Sequence, residues 1–198
     1  MTTPPTTPSQ TTSTPSQTTP AQTTPSQTTP AQTTPSQTTP AQQTVPTTDQ
    51  LAIDVEHFDS PDAQRLRAAQ RLEIDRAYGG DTEPGEKPTA DSIAVFFLAR
   101  DADGTPLGCG GLRIVQDGIT EIKRMYVRPE SRGAGVSSAI LRRLEEAAID
   151  LGSPALVLET GDEQKRAIGF YEREGFTRIA NFGPYVGAAR SICYSKVL

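Results

Sequence analysis

The chain has 198 residues, and its 19 basic and 24 acidic residues give a net charge of −5; all of them lie beyond residue 48, so a single globular domain, 49–198, follows an uncharged segment, and length excludes a second. The acidic balance argues against a nucleic-acid partner, and no run of about 18 apolar residues is present to cross a membrane. No basic region leads into an apolar stretch at the start, and two cysteines are too few for a disulfide scaffold, so a cytoplasmic protein with free thiols is expected.

Residues 1–48 hold ten of the 17 prolines and 20 threonines, in a five-residue repeat of the form TTPAQ, TTPSQ. Proline in each unit interrupts helix hydrogen bonding, and almost no apolar side chain is available to bury. A disordered tail with polyproline II bias is expected. Leu51–His57 alternates and reads as a strand; His57, the only histidine, reads as an ordinary strand-end residue. Ser60-Pro61-Asp62 opens a helix that Gly79-Gly80 ends, with Leu66, Ala69, Ile74, Ala77 and Tyr78 inward. Asp81–Thr89 is a loop. Ile93–Arg100, Leu107–Val115 and Ile119–Val127 form a meander with turns at Asp101–Gly104 and Asp117-Gly118. Cys109, within a glycine-rich strand, reads as a small buried residue.

Then the period changes. Val136, Ile140, Leu144, Ala148 and Leu151 recur at helical spacing, and Gly152 stops the helix. Ala155–Glu159 is a short buried strand, parallel to Ile119–Val127 through a right-handed crossover. Gln164–Glu174 is a helix ended by Gly175, and Thr177–Phe182 and Ser191–Val197 are two closing strands. The fold class is α+β.

The chemistry concentrates in RPESRGAGVSSA, residues 128–139, between a strand and a helix. Gly133 and Gly135 let backbone N–H groups approach a ligand, and the first helical turn offers unpaired donors at the positive end of the dipole. Together these suit phosphate oxygens. The stretch is neither a P-loop nor a GxGxxG fingerprint.

Arg132-Gly133-Ala134-Gly135-Val136, preceded by TEIKRMYVRPE and followed by AIGFYEREGF at 167–176, resembles the acyl-CoA pyrophosphate loop and second signature of the GNAT acetyltransferase superfamily. The resemblance covers most of 51–198 and implies a central mixed, mostly antiparallel sheet flanked by helices. It also implies an N-acetyltransferase that uses acetyl-CoA as co-substrate, without a metal. By the same resemblance, Arg132, Gly133, Ala134, Gly135, Val136, Ser137 and Ser138 hold the pyrophosphate; Ser137 departs from the family's usual Gly or Ala. Met125, Tyr126 and Val127 bind pantetheine through their backbone. Gln164 stands where the family often has an Asn that supports the pantetheine arm.

Tyr171 matches the family's general-acid tyrosine; its plainer reading is a core aromatic. Glu121 matches the catalytic Glu of histone-acetylating members; its plainer reading is an exposed carboxylate paired with Lys123 or Arg113, and Glu159 is next in line as base. The acceptor is expected to be a small-molecule or peptide amine. By the same resemblance its pocket is expected between the first helix and Gly183–Arg190, where Tyr78, Phe182 and Tyr185 could wall it, and the net charge leans toward a cationic amine. A non-catalytic acyl-CoA-binding module is the alternative, and a homodimer stays open.

Overall fold

The computed structural model describes residues 51–198; the repeat tail lies outside the described residues. Seven strands form one sheet: β1 (Ala52–Val55), β2 (Val95–Arg100), β3 (Pro106–Ile114), β4 (Thr120–Val127), β5 (Ala155–Gly161), β6 (Thr177–Ile179) and β7 (Ser191–Val197). Their spatial order is β1-β2-β3-β4-β5-β7-β6. All pairs are antiparallel except β4 and β5, which are joined through a helix and run parallel.

Three α-helices accompany the sheet among the described residues: α1 (Pro61–Tyr78), α2 (Val136–Asp150) and α3 (Lys165–Arg173). The Ser60 hydroxyl accepts from the Ala63 N–H at 3.3 Å and caps α1, and Gly79 ends it with φ 76°. Along α2, Val136, Ile140, Leu141, Leu144 and Ala148 are buried on one stripe, against Leu112, Ile122, Leu156 and Leu158 of the sheet. A Cβ at Gly110 would lie 3.1 Å from the Ile140 and Leu144 side chains, so glycine there lets α2 settle onto β3. Ala63 and Leu66 of α1 pack with Phe58, Phe96, Leu98, Cys109 and Tyr126 as a second cluster. No helix among the described residues is long and apolar enough to cross a membrane.

Three expectations are corrected. β6 stops at Ile179 because the Asn181 amide donates to the carbonyls of Tyr185, Ala188 and Ser191 and folds the following segment into a turn. Leu151 lies beyond the end of α2 and is 44% exposed, not inward. Ala77 is exposed, and the buried residues of α1 are Ala63 and Leu66, near its start.

One irregularity positions everything that follows. Ile122 and Val127 share the cluster under α2, although residues five apart on a regular strand face opposite sides. The parity changes at a bulge: Cys109 pairs with Tyr126 but Gly111 with Lys123, and Arg124 takes φ 57°. The parallel pairing with β5 ends at Ile122–Leu158, just before the bulge. Beyond that point β4 and β5 diverge and leave a wedge in the sheet.

Candidate active site

The wedge frees backbone groups on one edge of β4. The Met125 and Val127 carbonyls face away from β3 and are taken by side chains: Gln70 Nε2 donates to Met125 O at 2.9 Å, and Arg132 Nε to Val127 O at 2.9 Å. By strand alternation, the N–H groups of the same two residues also point into the wedge, where β5 no longer answers them. This edge suits an extended amide chain that adds itself as a strand. The Tyr126 and Val127 side chains are buried, which leaves their backbone groups on this edge.

A cleft of about 980 Å³ runs outward from this edge. Met125, Tyr126, Val127, Arg132, Gly133, Gly135, Ser137, Ser138 and Gln164 line it, together with α1 and α3 residues. Gly135 precedes α2 with φ 80° and no side-chain cap, and the first turn carries no acidic residue, so its N–H donors are left for an anion. Gly133 also has positive φ, with open space where a Cβ would stand. The Val136 side chain is 1% exposed in the core, which leaves only its backbone to face the cleft. Ala134 packs against the core. Ser138 Oγ is engaged by Glu174 Oε1 at 2.5 Å. Arg132 is paired with Glu73 across the cleft mouth at 2.6 Å.

An inner chamber of about 110 Å³ adjoins the cleft. Gln70, Ile74, Met125, Gln164, Ala167 and Tyr171 line both spaces and mark where they meet. The Tyr171 ring is buried edge-on against Phe170 and Phe176, with centroids 5.2 and 5.4 Å away. Its hydroxyl has a thioether partner, Met125 Sδ at 3.4 Å. Burial raises the Tyr171 pKa well above the usual phenol value, so the hydroxyl keeps its proton.

Glu121 of β4 and Glu159 of the adjacent β5 differ sharply in place. Glu159 lines the inner chamber and accepts from Ser191 Oγ at 2.6 Å. Its pKa is raised, chiefly by burial, against the Ser191 hydrogen bond and the Lys123 charge, with the charges of Glu83 and Glu121 adding to the rise. Glu121 is 0% exposed and lies outside the lining of both spaces. Arg113 Nε donates to its Oε2 at 2.6 Å and the Tyr185 hydroxyl to its Oε1 at 2.7 Å, with Lys123 Nζ 3.6 Å away. Pairing with Arg113 and Lys123 is therefore observed, but in a buried network and not on an exposed strand.

That network also moves Tyr185. Expected to wall the acceptor pocket, it is fully buried beneath its own loop, edge-on to Phe182, and neither residue lines the chamber. Tyr78 does line it, with Arg190 4.7 Å above its ring. Gln70 went unrecognised in sequence, although Gln70, Ile74 and Tyr78 recur every four residues and so share one stripe of α1. Arg71, Glu83 and Arg124, which also line the chamber, were not singled out, and Arg190 entered only as the end of the 183–190 loop. Cys109 is buried, with its thiol pushed up to about 12 by desolvation, so it is no nucleophile.

The model of the Acetyltransferase (GNAT) family matches residues 60–176. The IAA acetyltransferase of Azospirillum brasilense is 38% identical over 133 residues, 64% of this chain and 86% of its own length. Among solved structures, an acetyltransferase of the GNAT family from Staphylococcus aureus superposes with a TM-score of 0.60 at 18% identity, over 74% of this chain and 99% of its own. A GNAT family acetyltransferase from Elizabethkingia anophelis, solved with acetyl-CoA bound, gives 0.55 at 18% identity, over 76% and 99%.

Proposed function

Because this chain belongs to the GNAT acetyltransferase family, we propose that it moves the acetyl group of acetyl-CoA to a primary amine by direct attack, with no covalent enzyme intermediate. The observation that carries this reading is the position of Tyr171: a protonated, buried hydroxyl where the outer cleft meets the inner chamber. The cradle at Gly133–Ser138 receives the pyrophosphate, and the edge of β4 at Met125–Val127 receives the pantetheine amides. The thioester then reaches the junction, and a free N–H of that edge polarises its carbonyl.

The acceptor enters from the chamber side. Its ammonium gives one proton to Glu159, directly or through water, and the neutral amine attacks the thioester carbon; as the C–S bond breaks the thiolate takes the Tyr171 proton, and the second proton, released by the new amide nitrogen, restores the Tyr171 hydroxyl. A raised pKa makes Glu159 a stronger base than an ordinary carboxylate. Glu121, with both oxygens occupied and no exposure, holds the 183–190 loop through Tyr185 in this scheme, and Gln164 lines the passage between the two spaces. Holding both reactants in line supplies much of the acceleration.

The test is a panel of primary amines with acetyl-CoA, following free thiol release and confirming acetylated product by mass spectrometry. Thiol release that depends on the amine supports the proposal. Acetyl-CoA binding with no amine-dependent release would leave a binding module in its place.

A further inference from the structure

Resting on that acetyltransferase reading, we infer that the acceptor amine also carries a carboxylate, as a free amino acid does, and that Arg190 receives it. The inner chamber is walled by four cationic side chains, Arg71, Lys123, Arg124 and Arg190, against three carboxylates, Asp81, Glu83 and Glu159. This inverts the balance of a chain whose net charge is −5.

Three of the four cations are committed to one loop carboxylate. Glu83 accepts from Arg124 at 2.9 Å, and from Lys123 and Arg71 at 3.3 Å each. Burial alone would raise its pKa, but Lys123 and Arg124 outweigh that and keep it ionised.

Arg190 is held differently. Its carboxylate partners, Asp162 and Glu163, lie 3.3 and 3.4 Å away in half-exposed pairs that contribute little. What orients it is Tyr78, whose ring stands 4.7 Å beneath the guanidinium. Tyr78 is fixed in turn: its hydroxyl accepts from the Glu163 N–H at 2.8 Å and lies so near Gly161 that a Cβ there would come within 2.0 Å of it. The outcome is a planar guanidinium on the chamber wall with weakly engaged donors, the geometry that matches a carboxylate.

The neighbouring residue supplies the second half of the argument. Ser191 follows Arg190 directly and donates to Glu159 at 2.6 Å, so the proposed base and the guanidinium meet at one loop–strand junction. An acceptor with an amine and a carboxylate a few bonds apart can engage both. A plain alkylammonium offers Arg190 nothing, while the other three cations are already paired with Glu83. The carboxylate is what lets such a wall attract the substrate.

The experiment uses matched amines that differ only in the carboxylate: L-leucine with isopentylamine, and L-phenylalanine with 2-phenylethylamine. Thiol release gives kcat/KM for each, referred to the neutral-amine concentration, and calorimetry in the presence of CoA gives binding independent of turnover. A charge-assisted hydrogen-bonded pair predicts a preference for the carboxylate member of about tenfold to a hundredfold. In Arg190→Gln that preference should shrink about tenfold or more, with acetyl-CoA affinity unchanged. Equal or better use of the decarboxylated amines overturns the inference while leaving acetyl transfer standing. An undiminished preference in Arg190→Gln overturns the assignment to Arg190. Failure of every amine to release thiol counts against acetyl transfer itself, and calorimetry then decides the acceptor class: binding of L-leucine no tighter than isopentylamine overturns it.

Discussion

Tyr171→Phe separates a catalytic hydroxyl from a packing aromatic. The ring contacts with Phe170 and Phe176 survive the change, and the one partner lost is the Met125 thioether at 3.4 Å. A thioether is a weak acceptor, so the stability cost should stay below about 1 kcal/mol, or a fall in Tm of no more than about 4 °C. General acids contribute about 10²- to 10⁴-fold, and a thiolate is already a fair leaving group, so kcat should fall toward the lower end, about 10²-fold. That corresponds to about 2.7 kcal/mol of transition-state stabilisation, well above the folding cost. The KM for acetyl-CoA should barely move. Thiol release measured beside a thermal melt gives both numbers. Because burial raises the Tyr171 pKa, the wild-type enzyme should keep its kcat as pH rises through the ordinary phenol range. Full activity in the variant would mean that solvent protonates the sulfur and that Tyr171 serves packing alone.

Gly135→Val places a β-branched residue at φ 80° at the start of α2; a variant still folded by circular dichroism should bind acetyl-CoA at least about tenfold more weakly by calorimetry, and unchanged affinity would remove the pyrophosphate assignment. Glu159→Gln should lower kcat, with the deficit shrinking at high pH where the amine is already neutral; a pH-independent deficit would argue against a base. Since the folded-state pKa of Glu159 is raised, ionising it costs stability as pH rises through that pKa, so Glu159→Gln should melt above wild type at neutral pH and match it below about pH 4. Tyr185→Phe strips Glu121 Oε1 of its hydroxyl donor in a buried network and should cost about 1.5–3 kcal/mol in chemical denaturation; a change near zero would show that Lys123 takes over the contact.

Much of the fold was readable because local signals agreed with the global arrangement. Ser60, Pro61 and Gly79 bracket α1 where cap chemistry puts them, and the 3.6-residue period of Val136–Ala148 marks α2. The glycine-rich turn before α2 was readable too, because glycine spacing between a strand and a helix is a local pattern. The inner chamber was not. Glu121 and Lys123 alternate with apolar residues and look like a solvated strand face; they are buried because two loops distant in sequence, at Glu83 and Tyr185, close over them. The bulge at Arg124 carries no glycine to announce it, yet it reverses the facing of Met125–Val127 and opens the wedge. Arg190 gains its meaning from Tyr78, more than a hundred residues earlier, and no local pattern encodes that stacking.

The central claim is that the diverging edges of β4 and β5 hold the thioester of acetyl-CoA against Tyr171. A crystal structure of the complex with acetyl-CoA, or with an unreactive thioether analogue, tests it most directly. The account predicts the pyrophosphate on the N–H groups of Gly133–Ser138, the pantetheine amides along Met125–Val127, and the sulfur within hydrogen-bonding reach of the Tyr171 hydroxyl. A sulfur lying beyond that reach, or a pyrophosphate bound away from the start of α2, would contradict it.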